Sequence, residues 1–110
     1  MPRRAALISW DELALERITE MASRKVIAGV RQTLAQVWLK KGALVARHAH
    51  ESEQVSYVLD GALRCMLDGD ELVVRAGEVI VIPSGVPHQI EALDDTLVID
   101  SFSPARTDWG

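Results

Sequence analysis

Beyond Val26 the chain is a succession of short segments, four to eight residues long, separated by turn residues about every ten positions. Segments 32–39, 44–50, 55–59, 62–67, 71–75, 79–82, 88–92 and 96–102 have strand length and composition. In 55–59 the alternation is explicit: Val55, Tyr57 and Leu59 fall on one face, Ser56 and Val58 on the other. Tyr57 reads as a core residue on that pattern, and Trp38 on its strand reads as packing. Segment 79–82 is apolar at every position and predicts a strand buried on both faces. Lys40-Lys41-Gly42, Asp60-Gly61, Asp68-Gly69-Asp70, Ala76-Gly77 and the loop 83–87 punctuate the series. Evenly spaced short strands predict an all-β fold, and closing about eight antiparallel strands predicts a jelly-roll barrel. Only 9–20 departs from this. Leu13, Leu15 and Ile18 form a weak apolar stripe, and Ser9 stands three residues before Glu12. That pattern predicts a short N-terminal helix with a capping box, or a turn with one helical turn.

Composition narrows the function classes more than the fold. A chain of 110 residues fits one domain, 1–110, and a domain this small benefits from a bound metal or a second subunit. With 48% hydrophobic and 25% charged residues it reads as globular. The net charge of −4 argues against general nucleic-acid binding, which needs a basic face. The single cysteine, Cys65, excludes an internal disulfide and a cysteine-rich zinc knuckle, and reads as a small buried hydrophobe. Arg3 and Arg4 precede no apolar run of signal-peptide length, and no stretch approaches a membrane span, so the chain reads as cytoplasmic with no membrane partner.

The candidate chemistry lies in the three histidines. His48 and His50 stand two apart, a spacing that puts both rings on one face of a strand. Gln54 follows a short turn, and His88 comes directly after a Pro-x-Gly-x-Pro loop. Imidazoles on one face suit Zn, Cu, Fe or Ni. The predicted ligand set for one divalent transition metal (Zn, Ni, Fe or Mn) is His48, His50, Gln54 and His88. Gly61, Gly77, Pro83 and Gly85 read as backbone scaffold.

The spacing resembles that of the cupin superfamily. Gly42, His48, His50, Gln54 and Gly61 match its first motif, G-x5-H-x-H-x(3,4)-E-x6-G, across 42–61. Gly77, Pro83, Gly85 and His88 match its second, G-x5-P-x-G-x2-H-x3-N, across 77–92. Gln54 stands where the motif carries glutamate and Ala92 where it carries asparagine. A neutral ligand leaves more positive charge on a metal, which favours Lewis-acid chemistry. The ending Asp100-Ser101-Phe102-Ser103-Pro104-Ala105-Arg106 is similar to that of the KdgF-type pectin-degradation cupins, as is Gln32-Thr33-Leu34-Ala35. The resemblance implies a homodimer that linearises a 4,5-unsaturated monouronate, a small anionic sugar acid. It implies Asp100, Phe102 and Arg106 at the reaction site: Asp100 moving protons, Phe102 walling the pocket, Arg106 holding the carboxylate. A cupin dioxygenase and a non-enzymatic sugar- or anion-binding cupin are the alternatives. Trp10, Trp38 and Trp109 are available either to stack on a sugar ring or to pack.

Overall fold

The computed structural model describes residues 4–109; Arg3 lies outside them. Among these residues ten strands form: β1 (Glu16–Thr19), β2 (Ala22–Ala28), β3 (Thr33–Leu39), β4 (Leu44–His48), β5 (Glu53–Asp60), β6 (Ala62–Leu67), β7 (Asp70–Arg75), β8 (Val79–Ile82), β9 (His88–Ala92) and β10 (Thr96–Ser103). They pair antiparallel in two sheets, one of six strands in the order β1-β2-β3-β10-β5-β8 and one of four in the order β4-β9-β6-β7. The predicted all-β barrel forms, and no described helix is long and apolar enough to cross a membrane.

Alternation decides what each sheet buries. Thr33, Ala35, Val37 and Leu39 of β3 point inward, as do Val58 of β5, Ile80 and Ile82 of β8, and Val98 and Phe102 of β10. Leu63 and Cys65 of β6 and Ile90 and Ala92 of β9 meet them from the smaller sheet. Burial holds the Cys65 thiol at a pKa of about 11, with the nearby Asp100 charge adding to the effect, so the thiol is packing rather than a nucleophile. At the β5–β6 turn Gly61 has φ +90, and a Cβ there would run into the Asp95 carbonyl and the Thr96 hydroxyl. Only glycine tolerates both conditions.

Two expectations need correction, and a third is resolved between its alternatives. Region 9–20 takes the turn alternative rather than the helix. Trp10–Glu12 makes a single 3₁₀ turn, the Ser9 side chain accepts from the Asp11 amide, and the chain then enters β1. Cross-strand partners outweigh the weak helical stripe: Glu16 pairs with Arg24 in register, and the Arg24 guanidinium donates to its carboxylate at 3.1 and 3.2 Å. Segment 79–82 is buried on one face only, because the large sheet covers the core with its inner face alone; Val79 and Val81 look outward. Tyr57 is likewise on the outer face, 41% exposed, rather than in the core.

Candidate metal centre and pocket

The register of β5 on β10 brings polar residues into an otherwise apolar interior. Val98 lies opposite Val58, Asp100 opposite Ser56 and Phe102 opposite Gln54. Since alternate residues face inward, one end of the barrel receives Gln54, Ser56 and Asp100 together, all buried. On the facing sheet His48 of β4 pairs in register with His88 of β9. His50 follows just beyond the end of β4. The loop before His88 is tied back to this segment, the Gly85 amide donating to the His50 carbonyl at 2.9 Å.

The three histidines converge. One ring nitrogen from each of His48, His50 and His88 lies within 4.8 Å of the others. Their Nδ1 atoms sit 2.9 Å from the Ala46 carbonyl, 2.8 Å from that of Ser52 and 2.9 Å from that of Val86. Each such bond orients its ring and turns Nε2 toward the other two histidines, the usual backing of a metal-bound imidazole, although His50 Nε2 also meets Gln54 Oε1. His88 is 1% exposed, yet its Nε2 has no hydrogen-bond partner. A buried polar atom without a partner costs about 1–3 kcal/mol. Burial also pushes the His88 pKa down, with the positive charges of its neighbours adding to the effect and the Val86 contact opposing it. A neutral ring with a bare lone pair is the form that binds a metal. Orphaned atom, backed rings and donor type all fit a transition metal.

Gln54 completes the cluster from the other sheet. Its Oε1 lies 3.0 Å from His50 Nε2, while its Nε2 donates to Ser56 Oγ at 2.9 Å. Ser56 Oγ in turn donates to Asp100 Oδ1 at 2.6 Å. Burial is the main cause of the raised Asp100 pKa, about 6, against the opposing pull of the Ser56 hydrogen bond and the Arg106 charge.

A cavity of about 500 Å³ opens beside these groups, with His48, Gln54, His88, Asp100, Phe102 and Arg106 in its wall. Phe102 stands edge-on to His50, ring centroids 5.7 Å apart, and lines the cavity. Arg106 is more constrained than its sequence suggested. Its guanidinium stacks on Phe102 and Trp109, at 4.9 and 4.7 Å, and its Nε and Nη2 donate to the Asp108 carboxylate at 2.9 and 2.7 Å. That pairing holds Asp108 at a pKa of about 2. Of the three tryptophans, Trp109 reaches the cavity; it packs on Phe102 at 4.7 Å and lies under the Arg24 guanidinium at 4.2 Å. The tail carrying these residues is pinned by two bonds: Arg106 N donates to Thr33 Oγ1 at 2.9 Å, and Ser52 Oγ donates to the Pro104 carbonyl at 2.6 Å. Ser56, Arg24 and Ser52 were not singled out as site residues by sequence, because each becomes one only through a partner distant in the chain.

The chain is similar in sequence and fold to known proteins. A cupin domain model matches residues 36–99. An uncharacterized protein of Methanocaldococcus jannaschii is 35% identical over 75 residues, which are 67% of this chain and 60% of that protein's length. The pectin degradation protein KdgF of Dickeya dadantii is 26% identical over 102 residues, covering 90% of this chain and 93% of that one. The structure of KdgF from Halomonas sp. superposes with a TM-score of 0.86 and 31% identity, covering 94% of this chain and 98% of that one. With two antiparallel sheets enclosing a histidine cluster at one end, and with both motifs inside the matched region, the chain belongs to the cupin family.

Proposed function

We propose that this cupin is a metal-dependent enzyme that linearises a 4,5-unsaturated monouronate. The observation that carries the reading is the Asp100 carboxyl: buried, raised to a pKa of about 6 and placed in the wall of the cavity that His48 and His88 also line. A carboxyl tuned toward neutrality is suited to both taking and giving a proton. The resemblance to two KdgF proteins, one a pectin degradation protein matched across 90% of the chain and one matched across 94%, supports a substrate derived from pectin.

The residues divide the task. His48, His50, Gln54 and His88 would hold one divalent transition metal, which would supply Lewis-acid polarisation of a substrate oxygen. Asp100 takes the proton of the anomeric hydroxyl as the ring C–O bond breaks, leaving an aldehyde and an enolate. The same carboxyl returns that proton to the enolate carbon, giving the open-chain keto acid and restoring the carboxylate; the product is an isomer and no atom is gained or lost. Phe102 closes the pocket against water on the His50 side. Arg106 supplies positive charge for the sugar carboxylate, which meets the guanidinium in competition with Asp108. Purified protein loaded with a divalent metal should accelerate the loss of ultraviolet absorbance of unsaturated galacturonate well beyond its spontaneous rate. Tight binding without turnover would replace the enzyme reading by that of a binding cupin.

The outer face of the six-stranded sheet supports a homodimer. It presents Tyr57, Leu59, Val79 and Val81, each at least 36% exposed, on the adjacent strands β5 and β8, with Leu34 of β3 exposed beyond β10. Sedimentation equilibrium should return twice the 12.1 kDa chain mass, and Val81→Lys should shift the protein to monomer. A wild-type mass of one chain would dismiss the dimer.

A further inference from the structure

We infer that Ser56 is a positioning residue which, with Asp100, fixes the end of the Gln54 amide that faces the histidines. The inference rests on the metal-centre reading above, and not on the uronate reaction. A glutamine amide is nearly symmetric in shape and opposite in chemistry at its two ends. The oxygen can bind a cation and the NH₂ group cannot. Rotation of the amide by half a turn would therefore convert a ligand into a repulsive group at almost no steric cost, so something has to select the orientation.

The selection is made by hydrogen-bond polarity. Gln54, Ser56 and Asp100 form an unbroken buried row, 4%, 1% and 8% exposed. As a carboxylate, Asp100 accepts only. The single hydroxyl proton of Ser56 is given to Asp100 Oδ1 at 2.6 Å. Ser56 Oγ is then left as an acceptor, and it takes a proton from Gln54 Nε2 at 2.9 Å. The NH₂ end is thereby held toward Ser56, and Oε1 is presented to His50 Nε2 at 3.0 Å. Reversing the amide would set a carbonyl oxygen against an oxygen with no proton to offer, in a buried site where the mismatch is fully felt.

The same polarity accounts for the departure from the motif. A glutamate at position 54 would place a second acceptor-only group on a hydroxyl that has one proton, already committed to Asp100. Glutamine supplies both what Ser56 needs and what a metal needs. Gln54, Ser56 and Asp100 therefore work as one unit, although the register of β5 on β10 joins positions 44 residues apart.

Cobalt(II) alone is the probe, because its visible bands report the ligand set without any substrate. Spectra and affinities would be measured for the wild type and for Ser56→Ala, Ser56→Thr, Gln54→Ala and His88→Ala. Ser56→Ala is expected to move the bands toward those of Gln54→Ala and to weaken cobalt binding by about 10-fold or more, the scale of outer-shell substitutions. Ser56→Thr, which keeps the hydroxyl, is expected to retain the wild-type bands. A merely structural role would lower Tm and leave the bands in place. Should Ser56→Ala fold poorly, Asp100→Asn gives the same readout, because an amide at 100 no longer dictates the direction of the row. The inference is overturned if Ser56→Ala keeps wild-type bands and affinity, or if Gln54→Ala itself looks like the wild type. Failure of the wild type to bind cobalt would instead sink the metal-centre reading, and this inference with it.

Discussion

Replacing His88 by alanine should abolish metal-dependent stabilisation while leaving the metal-free fold nearly as stable as before. The two halves of this result have separate causes. In the metal-free protein the imidazole contributes packing, but its Nε2 is buried without a partner. Loss of the ring's packing costs about 1–3 kcal/mol and loss of its bond to the Val86 carbonyl about 1 kcal/mol, while release of the unpartnered atom returns about 1–3 kcal/mol, so the net loss is about 1 kcal/mol. In the metal-loaded protein there is no such offset. A ligand at 100 times its dissociation constant stabilises by about 2.7 kcal/mol, and losing one of three imidazoles lowers affinity by at least ~100-fold, which removes nearly all of that increment. Thermal unfolding with and without zinc or manganese, for wild type and His88→Ala, measures both. A wild-type Tm that ignores every divalent transition metal would refute the metal centre; an equal metal-induced rise in the variant would show that His88 is not in it.

Asp100→Asn should inactivate the enzyme and, above neutral pH, stabilise it. On the rate side, removal of a positioned acid–base group costs about 10²–10⁴-fold. The wild-type rate should climb with the carboxylate form through pH ~6, and the variant should lose that limb. On the stability side the sign follows from the raised pKa. Burial lifts Asp100 from 3.8 to about 6, so between those values the folded chain holds a proton that the unfolded chain has released. Proton binding therefore supports the fold fully below pH ~4, and that support is lost as pH rises through ~6. A shift of this size corresponds to roughly 3 kcal/mol of strain in the metal-free protein at pH 8. Asparagine carries no charge and is spared it. Metal-free Asp100→Asn should unfold several degrees above the wild type at pH 8, and the gap should close by pH 4. A gap that is the same at both pH values would show that the carboxyl's charge is not its source. Rate lost and stability gained at one position is the signature of a group held in an unfavourable environment for its chemistry.

What the sequence made legible was what is local. Gly42, His48, His50 and Gly61 sit within one stretch of 20 residues, and the Pro83–Pro87 loop leads straight to His88, so both cupin motifs can be read locally, and the resemblance they carry implies that the histidines meet. Register is not local. Nothing in the alternation of 55–59 says that Ser56 will face Asp100, because that depends on how β5 slides against β10. The same limit hid Arg24 from the site, where it covers Trp109 from a strand on the far side of the sequence. Region 9–20 misled for another reason. Every residue of β1 is exposed, so burial leaves no period-two imprint, and a strand held by a hairpin partner carries no hydrophobic signature of its own. Val79 and Val81 misled in the opposite sense: their apolar side chains face outward from the edge strand.

The candidate ligands are not all on one sheet. His48 and His88 belong to the four-stranded sheet, His50 follows its β4, and Gln54 belongs to the six-stranded one. An ion bound by all four would be a clasp between two layers that otherwise meet through apolar contacts. Loading would then change how the barrel breathes as well as what it can catalyse. Parting of the layers at that end, the motion that admits solvent to the interior, would slow in proportion to the free metal around the protein. Metal supply would in this way set the lifetime of the chain against proteolysis, in addition to the fraction of molecules able to react.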